Sequence, residues 1–141
     1  MKIEEVILFQ IDQTNKIAKQ YSQKEFDRLG FGITVDQWVL LKLIDESEAL
    51  SQKELAAKSF RDPASITRSL DILEKKDLIT RMNVSGNRRS YSIHLSVQGM
   101  KFVAKNMELI NAQRAKSIEG FTHDETSKLL SMLLKLQKNL K

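Results

Sequence analysis

The stretch LSQKELAAKSFRDPASITRSLDILEKKDLITRMNVSGNRRSYSIHL, residues 50–95, decides how this chain folds. It opens on Leu50-Ser51-Gln52-Lys53-Glu54-Leu55. Ser51 and Glu54 are spaced as a reciprocal helix cap, and Leu50 and Leu55 bracket them as a hydrophobic staple. The helix so started is short and is predicted to end near Lys58. After Ser59-Phe60-Arg61, Asp62 caps a second helix whose first residue is Pro63, where a missing N–H is harmless. That helix is predicted to run to about Lys76. Ile66, Leu70 and Leu73 share one face; Ser65, Arg68, Asp71 and Lys75 share another, with Thr67 flanking them. Then the period drops to two. Tyr91, Ile93 and Leu95 alternate with Ser90, Ser92 and His94, the pattern of a strand, and Leu78 to Val84 is the other arm of a hairpin. Ser85-Gly86-Asn87 supplies the turn, and Arg88 and Arg89 sit just beyond its tip.

Outward from this stretch the chain reads as helix on both sides. Upstream, Ile3, Ile7, Ile11, Ala18 and Tyr21 recur at helical spacing from Ile3 to about Leu29, and Gly30 ends the run. Thr34 and Gln37 form another capping box, stapled by Ile33 and Trp38, and that helix continues through Leu40, Leu41 and Ile44. Downstream, Ser96 caps a helix carrying Met100, Val103, Met107 and Ile110. After Gly120, Thr122 and Glu125 open a last helix with a stripe of Leu129, Leu133, Leu136 and Leu140.

Composition narrows what such a chain does. With 141 residues, 41% hydrophobic and 29% charged, it is one ordinary folded domain. One Pro and five Gly favour a mostly helical chain. The absence of Cys removes disulfides and thiolate metal sites, and two His leave a zinc site or histidine triad without material. No cofactor or metal is expected. His94 falls on the polar face of its strand, and His123 follows a helix cap. Asp45, Glu46 and Glu48 lie at a helix end with no nucleophile beside them, so no enzyme activity is read. No apolar run is long enough for a membrane span, and the acidic start lacks the basic residues of a signal peptide, so a cytoplasmic location is expected. The net charge of +5 is unevenly spread: residues 1–50 carry six basic and nine acidic side chains, residues 51–89 nine and five, and residues 90–141 eight and four. The decisive stretch is basic, which suits an anionic partner.

Short helix, tight link, longer helix and basic-tipped hairpin are the parts of a winged helix-turn-helix. The fold class is therefore mainly α with a small β-hairpin wing. The second helix of such a pair enters a DNA major groove by its N-terminal residues, here Ala64, Ser65, Thr67 and Arg68. An arginine at a hairpin tip suits the narrow minor groove. A winged-helix protein-interaction module without DNA-binding activity is the alternative.

These residues resemble the multiple-antibiotic-resistance regulator (MarR) family. The resemblance is carried by Ile33-Thr34-Val35-Asp36-Gln37-Trp38, Leu50-Ser51-Gln52-Lys53-Glu54-Leu55-Ala56, Asp62-Pro63-Ala64-Ser65-Ile66-Thr67-Arg68, Leu70-Asp71-Ile72-Leu73-Glu74-Lys75-Lys76, Asn87-Arg88-Arg89 and Leu95-Ser96-Val97-Gln98-Gly99. It implies a homodimeric bacterial transcription factor, usually a repressor, whose operator affinity often falls when a small aromatic or phenolic effector binds. By position it implies groove contacts from Ser65, Thr67 and Arg68, a phosphate near Gln52, and wing contacts from Arg88 and Arg89. Three positions depart from the family pattern. Asn87 stands where Asp is usual, Asp77 where Gly commonly ends the second helix, and Phe60 in a turn where small residues are frequent. Phe60 is expected in the core.

The reading divides the single domain 1–141 into a reading unit, 33–95, and dimerisation helices, 1–30 and 97–141. From Val97 to Ser117 a helix measures about 30 Å, and its apolar stripe lies outside the reading unit, as do those at Ile3–Ile11 and Leu129–Leu140. Two copies joined through them set their second helices about 34–36 Å apart, one DNA turn, on a pseudo-palindromic operator. Tyr21, Phe26 and Trp38 are candidates to line an effector pocket.

Overall fold

The computed structural model describes the backbone of residues 1–84 and 87–141, and the side chains of all of these except 84 and 87–90. It divides into two compact units, Met1–Met107 and Glu108–Lys141.

In the first unit a 3-10 turn, Ile3–Glu5, precedes α1, Ile7–Arg28. The single helix expected from Ile3 is broken at Val6, which is extended (φ −80°, ψ 121°). Local side-chain bonds favour the break: the Glu5 carboxylate accepts from the Lys2 N–H at 2.7 Å, and Gln10 Nε2 donates to the Glu4 carbonyl at 2.8 Å. Gly30, at φ 70°, ends α1. Helix α2, Val35–Asp45, opens with the expected box. Thr34 Oγ1 accepts from the Gln37 N–H at 3.1 Å, Gln37 Oε1 accepts from the Thr34 N–H at 3.0 Å, and Ile33 and Trp38 are buried.

Helices α3, Gln52–Ser59, and α4, Pro63–Lys75, form the helix-turn-helix. The Glu54 N–H donates to Ser51 Oγ at 3.0 Å, and the Ser65 N–H to Asp62 Oδ1 at 2.8 Å. The link corrects one expectation. Phe60 is not core but 89% exposed, because it closes α3 in the left-handed region (φ 56°), and this conformation turns its ring out to solvent. Helix α4 ends the same way at Asp77 (φ 60°). The Asp77 N–H donates to the Glu74 carbonyl and the Leu78 N–H to the Leu73 carbonyl, both at 3.0 Å. This is a Schellman stop built on Asp instead of Gly, with Leu73 and Leu78 buried beneath it.

The hairpin, β2 (Ile79–Val84) and β3 (Asn87–Leu95), gains a third strand that sequence periodicity did not foretell: β1, Leu50–Ser51, pairs antiparallel with β3 through Leu50↔Ile93 and Ser51↔Ser92. The strand order β1-β3-β2 fastens the start of α3 to the sheet. Beneath the sheet, Leu40 and Leu41 of α2, Leu55 of α3 and Ile66, Leu70 and Leu73 of α4 are fully buried, with Ile79 and Ile93. Each contributes about 1.5–3 kcal/mol of apolar burial. Ser96 ties α5, Val97–Ser117, to this core. Its Oγ donates to the Asp77 carbonyl and accepts from the Gly99 N–H at 2.9 Å. A Cβ at Gly99 would overlap the Leu78 carbonyl, so the backbones meet where only glycine fits.

The second unit holds the end of α5, a turn with Gly120 at φ 85°, and α6, His123–Leu140. Thr122 and Glu125 cap α6 reciprocally, at 2.9 and 3.1 Å. Ile110 is buried, whereas α6 has no buried residue. No helix among the described residues is long and apolar enough to cross a membrane, and no cluster of His, Asp and Glu among them is able to hold a metal ion.

Candidate nucleic-acid interface

The site is built on the first two turns of α4. Its amphipathic spacing sends Ile66 and Leu70 inward and leaves Ala64, Thr67 and Arg68 exposed. The helix entrance is rigid: Pro63 presets its backbone, and the Asp62 carboxylate occupies the Ser65 N–H.

The hydrogen bonds decide what each side chain has left to offer. Gln52, at the start of α3, donates from Nε2 to Thr67 Oγ1 at 2.6 Å, and Thr67 Oγ1 donates in turn to the Pro63 carbonyl at 2.9 Å. With its proton committed, Thr67 presents a lone pair outward and matches a donor such as a base amino group, not a phosphate oxygen. Gln52 keeps one N–H, which suits a phosphate oxygen, and a carbonyl that accepts only. Ser65 is half-buried and its Oγ accepts from Arg61 Nη2 at 2.5 Å, so it faces sideways into a cleft and not straight out of the helix. Arg68 is exposed and lines the same cleft.

Two features here had no sequence signal. Arg81 of β2 reaches across to α4, with Nη2 at 2.9 Å from Asp71 Oδ1 and Nε at 4.0 Å from Glu74 Oε2. It covers two carboxylates that share the helix with Arg68 and braces the hairpin against α4. Ten residues separate Arg81 from Asp71, too many for a local spacing rule. Arg61 likewise gathers Ser65 and Ser69, the latter at 3.0 Å. A pair with shifted titration lies elsewhere, on α1: Arg28 hydrogen-bonds Glu25 at 2.7 Å, which lowers the Glu25 carboxyl pKa and raises that of Arg28.

Of the residues expected to act, Gln52, Ala64, Ser65, Thr67 and Arg68 come together around the N-terminal half of α4. The side chains of Asn87, Arg88 and Arg89, and the turn at Ser85-Gly86, lie outside the described residues. The expected effector residues lie apart from the cleft beside α4. Phe26 and Trp38 are buried, packed in a ring cluster in which Phe31 lies 4.9 Å from Phe26 and Phe102 lies 6.2 Å from Trp38, while Tyr21 is exposed. None of the three lines the cleft beside α4.

Residues 33–91 match the family model described as the MarR family. Over that stretch the chain is similar to the MarR family. The MarR-type fold extends beyond it. A structure described as a MarR/EmrR family transcriptional regulator from Acinetobacter sp. ADP1 superposes with a TM-score of 0.90 at 21% identity, covering 99% of this chain and 98% of that one. AbsC, a MarR family transcriptional regulator from Streptomyces coelicolor, gives 0.85 at 19% identity, with 99% and 95% covered. MepR of S. aureus in complex with DNA gives 0.83 at 20% identity, with 95% and 98% covered. At these identities the likeness establishes the fold: mainly α, with a β wing.

Proposed function

We propose that the protein is a sequence-specific, DNA-binding transcriptional regulator: a homodimeric, cytoplasmic repressor, without catalytic activity, whose operator binding responds to a small-molecule effector. One observation carries the reading. Helix α4 exposes Ala64, Thr67 and Arg68 at a capped entrance, with Gln52 bonded alongside, on a MarR-type fold that MepR uses in a DNA complex. Ala64, Thr67 and Arg68 take the base edges, Ser65 and Gln52 the rim of the groove, and Arg88 and Arg89 the neighbouring minor groove. The helices at 1–30 and 97–141 join two copies of the single domain on a pseudo-palindromic operator. Apolar side chains left in solvent support this role, among them Ile7 on α1, Val97 on α5 and Leu130 on α6.

Selection of bound fragments from the source genome tests the proposal. The expected result is a pseudo-palindromic site near the protein's own promoter. With ~6 phosphate contacts, log K falls against log salt with a slope of about −5. Equal affinity for that site and its scrambled version would overturn base reading. The exposed Phe60 favours the alternative, a protein-interaction module, which forecasts no gel shift on any genomic fragment.

A further inference from the structure

Among the described residues, two that are not glycine take a positive φ: Asp77 (φ 60°) and Phe60 (φ 56°). Asp enters this region readily, because its short polar side chain can bond locally, whereas a bulky aromatic bears the full crowding of its Cβ. The chain nevertheless closes α3 on Phe60. The Phe60 N–H donates to the Ala57 carbonyl at 3.4 Å, and the Arg61 N–H to the Ala56 carbonyl at 3.2 Å. The ring then stands 89% exposed, so Phe60 is unfavourable twice over, in its backbone and in its solvation. Glycine would relieve both. A strained residue that also holds an aromatic ring in water points to a function that covers the ring.

The surroundings indicate what covers it. Between Ala57 and Ala64 the exposed residues are Ala57, Lys58, Phe60, Asp62, Pro63 and Ala64. The carboxylate in this stretch, Asp62, is turned to the Ser65 N–H at 2.8 Å, which leaves an apolar surface with a cation beside it. Such a surface suits an anionic chain that presents apolar groups. DNA is one, because thymine methyls line the major groove between its phosphates. Position agrees. Four residues of extended chain span at most about 14 Å, so Phe60 lies within about one groove width, ~12 Å, of Ala64 at the entrance of α4. We propose that Phe60 is a further specificity-determining residue, whose ring packs on the C5-methyl of a thymine at the edge of the groove that α4 enters. This rests on the proposed function. The left-handed turn serves the contact by holding the ring outward before DNA arrives, so little side-chain freedom is left to lose on binding. The contact uses no hydrogen bond and no charge, and it tells thymine from uracil by one methyl group. The same ring seated on a protein partner would leave DNA affinity untouched.

The test is a gel-shift series on the genomic site selected by the full wild-type chain, with each thymine replaced in turn by deoxyuridine. Wild type, Phe60→Gly and Phe60→Asn are compared, and their melting is followed in parallel. Phe60→Gly melts about 2–4 °C above the wild type, yet binds the site about tenfold more weakly. For the wild type, deoxyuridine at one thymine weakens binding about threefold to fourfold, the worth of one buried methyl group. For Phe60→Gly the same replacement changes nothing. Phe60→Asn, which also tolerates the left-handed region but carries no ring, matches Phe60→Gly in binding and keeps the test open if that variant misfolds. A Phe60→Gly that folds but melts well below the wild type reveals a ring already packed within the chain, and overturns the contact. Equal sensitivity to deoxyuridine in wild type and Phe60→Gly overturns it as well. A wild type that binds while both variants keep its full affinity defeats the contact alone and leaves the ring to a protein partner. A wild type that binds no DNA defeats the functional reading and the contact together.

Discussion

Helices α4 and α6 are built on the same local plan and end in opposite situations. Each is opened by a side-chain cap, Asp62 for α4 and Thr122 for α6, and each carries leucines at helical spacing. In α4 the inward face is satisfied within the chain: Ile66, Leu70 and Leu73 have no exposed surface. In α6 none is buried, and Leu130, Met132 and Leu134 are each more than half exposed. Amphipathicity therefore measures what a helix requires, not what it has found. Helix α4 turns its remaining polar face outward, where it is the proposed reading surface. Helix α6 still has its apolar face to cover, and a second copy of the chain is the proposed cover.

The comparison breaks first at the leucines. Leu70→Ala is expected to lower the unfolding free energy by about 2–5 kcal/mol in a denaturant titration. Leu130→Ala is expected to leave the single chain within about 0.5 kcal/mol. Instead it shifts the monomer–dimer balance in sedimentation equilibrium; a chain that is monomeric at micromolar concentration before mutation would remove the contrast. Next in size is the polar face of α4. Arg68→Ala is expected to cost ~1–3 kcal/mol of operator affinity and to relax base preference, measured by gel shift on matched and single-substituted sites. The caps come third. Asp62→Ala and Thr122→Ala each cost about 1 kcal/mol of stability, but only Asp62→Ala also weakens DNA binding, because it loosens the end of the helix that reads. The smallest effect lies outside both helices, at the Glu25–Arg28 pair of α1. The Glu25 carboxyl is held below its ordinary range by Arg28, so its small contribution is present above that range and is lost as pH falls through the lowered value. Glu25→Gln should melt slightly below the wild type at neutral pH, with the difference closing in acid.

What was legible in the sequence was local. The boxes at Thr34, Ser51 and Thr122 are relations between residues three apart, and each forms as spaced. The order of helices and the hairpin followed from periodicity. Strand β1 was hidden because two residues carry no period, and Leu50 was already explained as a staple. The stop at Asp77 was hidden because the left-handed region is usually entered by glycine, and Phe60 misled for the same reason: the left-handed turn that carries it faces solvent. At the site, the residues of α4 were legible from helix geometry alone. Their partners were not. Gln52 to Thr67 spans fifteen residues and Arg81 to Asp71 ten, and such pairings exist only once the chain has folded.

The brace from Arg81 to Asp71 and Glu74 makes the strand leading into the wing part of the same rigid piece as α4. On the proposed function, helix and wing then arrive at a duplex as two prongs of fixed gauge. The separation between the bases one touches and the groove the other enters is set by the protein and not negotiated with the DNA. Operators that share every contacted base but differ by one step in that separation should be told apart without any side chain reaching the step itself.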